Sequence, residues 1–173
     1  TRFSRNSDKE MKAALESLLS EQMTGLILDL RDNPGGLLNS AVNILDFFTE
    51  KGELLVWTEG KTQKLNRKYT SKSEPIVPKE INIIVLVNQG SASASEIISG
   101  TLQDLDRGIV IGRQTFGKGL VQTVFNIDRE RSLKITTAKY YIPSGRLIQK
   151  SGYLPEDIMA DTSSQDTIFY TKG

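Results

Sequence analysis

Apolar positions along this chain change their period several times, and each change marks an element. Ser7-Asp8-Lys9-Glu10 has the pattern of a capping box, and Met11, Ala14, Leu15, Leu18 and Leu19 then recur at helical spacing until Thr24-Gly25. The spacing predicts an amphipathic helix over this stretch. Leu26-Ile27-Leu28-Asp29-Leu30 is a short apolar run with the length of a buried strand, and Arg31-Asp32-Asn33-Pro34-Gly35-Gly36 follows it as a turn. A second helix is expected next, with Leu38, Ala41, Val42, Leu45 and Phe48 turned inward, and Leu54-Leu55-Val56-Trp57 predicts a strand. Residues 59–80 are polar and rich in lysine and arginine, which fits a hairpin or an exposed excursion.

The strongest strand signal is Ile81-Asn82-Ile83-Ile84-Val85-Leu86-Val87. Its near-continuous apolar character predicts that both of its faces are covered, as in a parallel sheet flanked by helices. A helix near Ala94 to Asp104, a strand at Ile109-Val110-Ile111 and β-like runs over Leu120 to Ile127 and Leu133 to Tyr141 complete the pattern. The reading is a layered α/β fold, a mostly parallel sheet flanked by helices with β-hairpin excursions, and one domain over residues 1–173. No internal repeat or low-complexity segment interrupts it.

Composition narrows the chemistry more than the fold. The 173 residues are 38% hydrophobic and 25% charged, ordinary values for a globular domain. A formal net charge of +1 gives no electrostatic reason to expect nucleic acid or an anionic membrane as partner. No apolar run approaches the roughly 20 residues that span a bilayer, and the start at Thr1-Arg2-Phe3-Ser4-Arg5 has no signal-peptide core. The missing initiator methionine and abrupt ends read as a piece of a longer protein. There is no histidine and no cysteine. A Ser-His-Asp relay and a thiolate nucleophile are therefore both excluded, and a hydrolase built from this chain needs a serine activated by lysine. No metal or organic cofactor is expected, because there is no His/Cys cluster and the carboxylates are scattered.

Three small-residue turns carry candidate chemistry. Asn88-Gln89-Gly90-Ser91-Ala92-Ser93-Ala94-Ser95-Glu96 lies where a buried strand ends and a helix opens, the kind of place where sites form in open α/β sheets. Its plain reading is a helix cap, with Ser93 or Ser95 capping and Glu96 in support. Three serines in five residues leave the nucleophile undetermined at this point. Gly112-Arg113-Gln114-Thr115-Phe116-Gly117-Lys118-Gly119 matches most of a phosphate-binding loop. It fails where it matters, since Gly119 replaces the magnesium-binding hydroxyl and a strand follows instead of a helix. Lys118 comes 25 positions after Ser93. A lysine between two glycines beside Phe116 is set for partial desolvation, the route by which an amine becomes a usable base, although a solvated turn lysine is the simpler reading. In Asp29-Leu30-Arg31-Asp32-Asn33-Pro34-Gly35-Gly36, the Gly-Gly pair either turns bare N–H groups toward one point, as an oxyanion hole requires, or is only a tight turn.

Together these segments resemble the C-terminal processing peptidases, or tail-specific proteases, of the S41 serine peptidases. Asp29 to Gly36, Val87 to Glu96, Gln114 to Gln122 and Tyr140 to Gln149 match four motifs of that family in order, with Ile142 where threonine is common. The resemblance implies a ClpP/crotonase-like core in which Ser93 is the nucleophile, Lys118 the general base and Gln122 the residue that orients the lysine. It implies an oxyanion hole made by the amides of Gly36 and Ala94, with Gly35 a close competitor for the first. It further implies protein or peptide substrates with apolar C-termini, and an extracytoplasmic setting in periplasm, cell envelope or plastid lumen. A PDZ-type domain is expected upstream of the segment resembling residues 1–28, and a final strand beyond Tyr170-Thr171-Lys172-Gly173. The rival reading is a catalytically silent binding or scaffold module of the same fold.

Overall fold

The computed structural model describes residues 2–149, so the expectation of a missing final strand beyond Gly173 lies outside the described residues. In chain order the elements are α1 (Ser7–Ser20), β1 (Gly25–Asp29), α2 (Leu38–Leu45), β2 (Leu54–Gly60), a short 3-10 turn at Gln63–Leu65, β3 (Arg67–Thr70), β4 (Asn82–Val87), α3 (Ala94–Asp104), β5 (Ile109–Gly112), β6 (Leu120–Asn126) and β7 (Ser132–Tyr141). The helix over Ala94 to Asp104 falls where its sequence pattern put it, and residues 59–80 hold the expected hairpin between β2 and β3.

These strands form two sheets. β1, β4 and β5 pair in parallel in the order β1-β4-β5, and the other four pair antiparallel in the order β3-β2-β7-β6. The parallel sheet is thus the smaller of the two, where the sequence pattern predicted a mostly parallel sheet. Hairpin strands with tight connections can only pair antiparallel, and β2, β3, β6 and β7 are all connected that way or lie beside such a pair.

The core lies on one face of the parallel sheet. Leu28, Ile83, Val85, Val87 and Val110 are buried there together with Ala41, Ile44 and Leu45 of α2 and Ile97, Ile98 and Leu102 of α3. The opposite face departs from expectation. Ile27, Ile109 and Ile111 are exposed, and Ile84 and Leu86 are half-buried, so among the described residues this sheet is covered on one side only. The alternation of β4 follows directly, because successive side chains point to opposite faces and only one face has a helical layer against it.

The ends of α1 also differ from the sequence pattern. Asn6 rather than Ser7 is the N-cap, and no side chain caps it. Ser7 points backward instead, and its hydroxyl accepts the Ser4 N–H at 2.8 Å. Of the apolar stripe only Leu15 is fully buried, with Met11 and Leu19 packed partly against the core.

Asp46, just after α2, fastens the turn after β3. Its Oδ1 accepts the Ser71 hydroxyl at 2.5 Å and the N–H groups of Lys72 at 2.6 Å and Ser73 at 3.2 Å. Burial works to raise this carboxyl's pKa, but the bonds from Ser71, Lys72 and Ser73 outweigh it and leave the value below the ordinary carboxylate range. A depressed pKa contributes stability above the ordinary carboxylate value, and that stability is lost as pH falls through the folded-state value. Asp46→Asn is expected to cost about 1–2 kcal/mol near neutral pH and less in acid. Denaturant melts of both proteins from neutral to acidic pH check this, and a constant difference across the range would contradict it.

Candidate active site

β1 and β4 are adjacent and parallel, so their C-terminal ends lie at one edge of the sheet and bring the turns after them together. Side chains from each turn then lock onto the other. Asn88 Oδ1 accepts the N–H groups of Asp32 at 2.9 Å and Gly90 at 3.0 Å, while its Nδ2 donates to Asp32 Oδ1 at 3.0 Å. The Asn33 carbonyl accepts the Ala92 N–H at 3.0 Å and the Ser95 hydroxyl at 2.9 Å. Asp29 and Arg31 form an exposed ion pair at the rim, and the Arg31 bonds hold the Asp29 pKa down to about 2.

The three serines now separate by environment. Ser91 is fully buried, its hydroxyl donating to the Leu30 carbonyl at 2.7 Å and accepting the Asn88 N–H at 3.0 Å. Ser95 is equally buried and spends its hydroxyl on Asn33. Ser93 is half-buried and stands at the N-cap of α3 with φ 55° and ψ −111°. A non-glycine residue in such a region costs on the order of 1–3 kcal/mol and persists only where its surroundings over-determine it. Gly35 is one such neighbour. It has φ 88°, and a Cβ on it would overlap the Ala92 carbonyl and reach within 2.7 Å of the Ala94 nitrogen, so only glycine lets the turn pack this closely on the serine.

Glu96 is the other. Ser93 and Glu96 form a capping box at the start of α3, and Glu96 Oε2 accepts the Ser93 N–H at 2.6 Å. The same carboxylate reaches the lysine turn. Its Oε1 accepts the Gly117 N–H at 2.6 Å and its Oε2 the Lys118 N–H at 2.9 Å. Glu96 is only 4% exposed. Sequence reasoning reached Glu96 as a cap and missed this second attachment. The available signal was an acid at the third helix position followed by Ile97 and Ile98, an odd place for a charge to be buried without a task.

The remaining candidates are distributed as follows. The Gly35 N–H is taken by Asn33 Oδ1 at 3.0 Å, whereas those of Gly36 and Ala94 have no acceptor among the described residues. Lys118 is tied by its main chain, yet its side chain is exposed, and no hydrogen bond joins its amine to the Ser93 hydroxyl. Gln122 is likewise exposed on β6, beside a register shift against β7, with no bond to Lys118. The desolvation expected for the lysine is thus not supplied by residues 2–149. The structure brings the backbones of Ser93 and Lys118 to one carboxylate but leaves the amine and the Gln122 amide in the open.

Comparison with known proteins gives this arrangement a context. The model of peptidase family S41 matches residues 1–159. A carboxy-terminal-processing protease of Bartonella bacilliformis is 42% identical over 161 residues, covering 91% of this chain and 37% of that protein. A carboxyl-terminal-processing protease of Synechocystis sp. is 38% identical over 159 residues, covering 92% and 36% respectively. The solved structure of a photosystem II D1 C-terminal processing protease superposes with a TM-score of 0.77 at 35% identity, covering 88% of this chain and 38% of that one. The chain thus spans little more than a third of the length of these relatives.

Removing the shared carboxylate tests the link between the two turns. Glu96→Ala leaves three N–H groups without their acceptor and is expected to cost about 2–4 kcal/mol of stability. Amide exchange at Gly117 and Lys118 should accelerate beyond what the global loss explains. Protection that remains equal to wild type at these two amides would refute the cross-link.

Proposed function

The chain belongs to peptidase family S41, and on that premise we propose that it is the core of a serine peptidase that processes protein C-termini by acyl transfer. The observation that carries the reading is the joint attachment of the Ser93 and Lys118 amides to Glu96, beside a glycine turn packed against the serine. In this reading Ser93 is the nucleophile, Lys118 the general base and Gln122 the residue that orients it, while the amides of Gly36 and Ala94 hold the oxyanion.

Neutral Lys118 takes the Ser93 proton as Oγ attacks the scissile carbonyl carbon, and the developing negative oxygen is received by the two amides. The protonated lysine returns that proton to the departing amine. Water then attacks the acyl-enzyme, with the lysine again taking a proton, and the acid product leaves Ser93 free. Catalytic hydrogen bonds often tighten only in the substrate complex. The exposed Lys118 side chain therefore swings toward Ser93 when a peptide, or a flanking part of the intact protein, covers it. Residues 1–173 form the peptidase core with ClpP/crotonase-like layering, and a PDZ-type domain elsewhere in the protein recognises apolar C-terminal tails. The setting is extracytoplasmic. No helix of the described residues is long and apolar enough to cross a membrane.

A second reading, a catalytically silent module that binds protein tails, is favoured by the open Lys118 amine. Labelling of Ser93 by a serine-directed fluorophosphonate separates the two, because a silent module leaves the probe unreacted.

Ser93→Ala is expected to reduce peptide cleavage by about 10⁴-fold or more in a protein that still folds, with at most the loss of a helix cap, about 0.5–2 kcal/mol, whereas Ser91→Ala and Ser95→Ala lose stability but keep the chemistry. Equal loss of turnover in a folded Ser91→Ala protein would move the nucleophile. Lys118→Arg should not rescue activity, since a guanidinium stays protonated and cannot take the Ser93 proton. Gln122→Ala should weaken turnover less than Lys118→Ala. Assays of an apolar-tailed peptide across pH decide these points, and full activity in Lys118→Arg would remove lysine as the base.

A further inference from the structure

Phe3 belongs to none of the groups assigned above, yet its main chain is bonded across the glycine turn. Its N–H donates to the Gly35 carbonyl at 2.9 Å, and its carbonyl accepts the Leu37 N–H at 3.1 Å. The two bonds straddle Gly36 and make Phe3 and Gly36 a parallel bridge. Successive peptide groups of extended chain face alternate sides. With the Gly35 carbonyl and Leu37 N–H both turned toward Phe3, the Gly36 N–H is turned the other way. The turn's other flank packs on Ala92, Ser93 and Ala94 through Gly35.

The strap that does this is itself anchored. The Phe3 side chain is 6% exposed and belongs to the core cluster. The Ser4 carbonyl accepts the buried Ser40 hydroxyl of α2 at 2.6 Å, and Asp8 Oδ2 accepts Asn43 Nδ2 at 2.8 Å. Contact with the turn is so close that a Cβ on Gly36 would overlap the Phe3 carbonyl. A buried aromatic thus fixes a main-chain bridge whose geometric effect falls on one peptide N–H.

We propose that Phe3 is a positioning residue for the oxyanion: its main chain sets the direction in which the Gly36 N–H points, and its buried ring keeps that main chain in place. The proposal rests on the acyl-transfer reading, since it matters to catalysis only if Gly36 donates to the oxyanion. A misplacement of about 1 Å at a catalytic group costs on the order of 10²-fold. In the intact protein, Phe3→Ala should therefore lower kcat by about 10–100-fold with KM nearly unchanged, and Phe3→Leu, which refills the core site, should restore kcat to within about 3-fold. Because Phe3 acts through Gly36, the losses should not multiply. Adding Phe3→Ala to Gly36→Ala should change kcat by less than about 3-fold.

Peptide-hydrolysis kinetics on these four proteins, with circular dichroism melts alongside, test the idea. A rise in KM at constant kcat, or losses that multiply in the double variant, would overturn it. If Phe3→Ala does not fold, Ser40→Ala serves, because it releases only the Ser4 carbonyl and should lower kcat by about 3-fold or more at constant KM. Unchanged kcat in folded Ser40→Ala would then count against the strap. Retained cleavage in Ser93→Ala would instead defeat the acyl-transfer reading, a separate outcome.

Discussion

A buried carboxylate is expensive unless hydrogen bonds replace its water, and among the described residues Glu96 meets that requirement with three backbone N–H groups from two distant parts of the chain. Its position in the first turn of α3 adds the favourable end of the helix dipole. The consequence is mechanical as much as electrostatic. Neither the Ser93 turn nor the Lys118 turn can shift without leaving the other's amides, or the charge itself, unsatisfied. The strained serine backbone, the close glycine contact and the helix start are held in one frame because the charge must be.

The two sheets divide the labour around that frame. The parallel sheet sets β1 beside β4, so the turns that follow them converge by topology alone, and Asn33 and Asn88 convert proximity into fixed register. The antiparallel sheet holds the far end of the lysine turn through β6, whose start is fixed where the Tyr140 N–H donates to the Gly119 carbonyl at 2.7 Å. Side chains beyond that point are on a ribbon with exposed apolar residues such as Val124, Phe125 and Ile135. The backbone at the base of the ribbon is therefore fixed while the Lys118 and Gln122 side chains remain exposed.

Element positions were legible in the sequence because they follow from local periodicity. The run after Ile81 and the helix after Ser93 announce themselves by spacing and by the apolar content of a few consecutive residues. The lack of histidine and cysteine removed a Ser-His-Asp relay and a thiolate from the candidates, and the ordered motifs from Asp29 to Gln149 carried the family resemblance. All of these are properties of composition or of residues near one another in the chain.

Sheet membership, burial and the partners of individual atoms were decided only by the tertiary structure, because they depend on groups far apart in sequence. Composition and periodicity do not distinguish Ser93 from Ser91 and Ser95, which only the motif resemblance separates; the carbonyls of Leu30 and Asn33 give the other two a different environment by consuming their hydroxyls. The direction of the Gly36 N–H is likewise set by a distant group, Phe3, whereas the Asn33 side chain that takes the Gly35 N–H is only two residues away. The apolar run of β4 implied two covered faces, yet the packing covers one, since hydrophobicity records a preference for burial without naming the layer that supplies it. Glu96 is the sharpest case. Its spacing from Ser93 specifies a cap, but its grip on Gly117 and Lys118 exists only because a sheet built elsewhere brings those amides within reach of a charge that has no water left to choose.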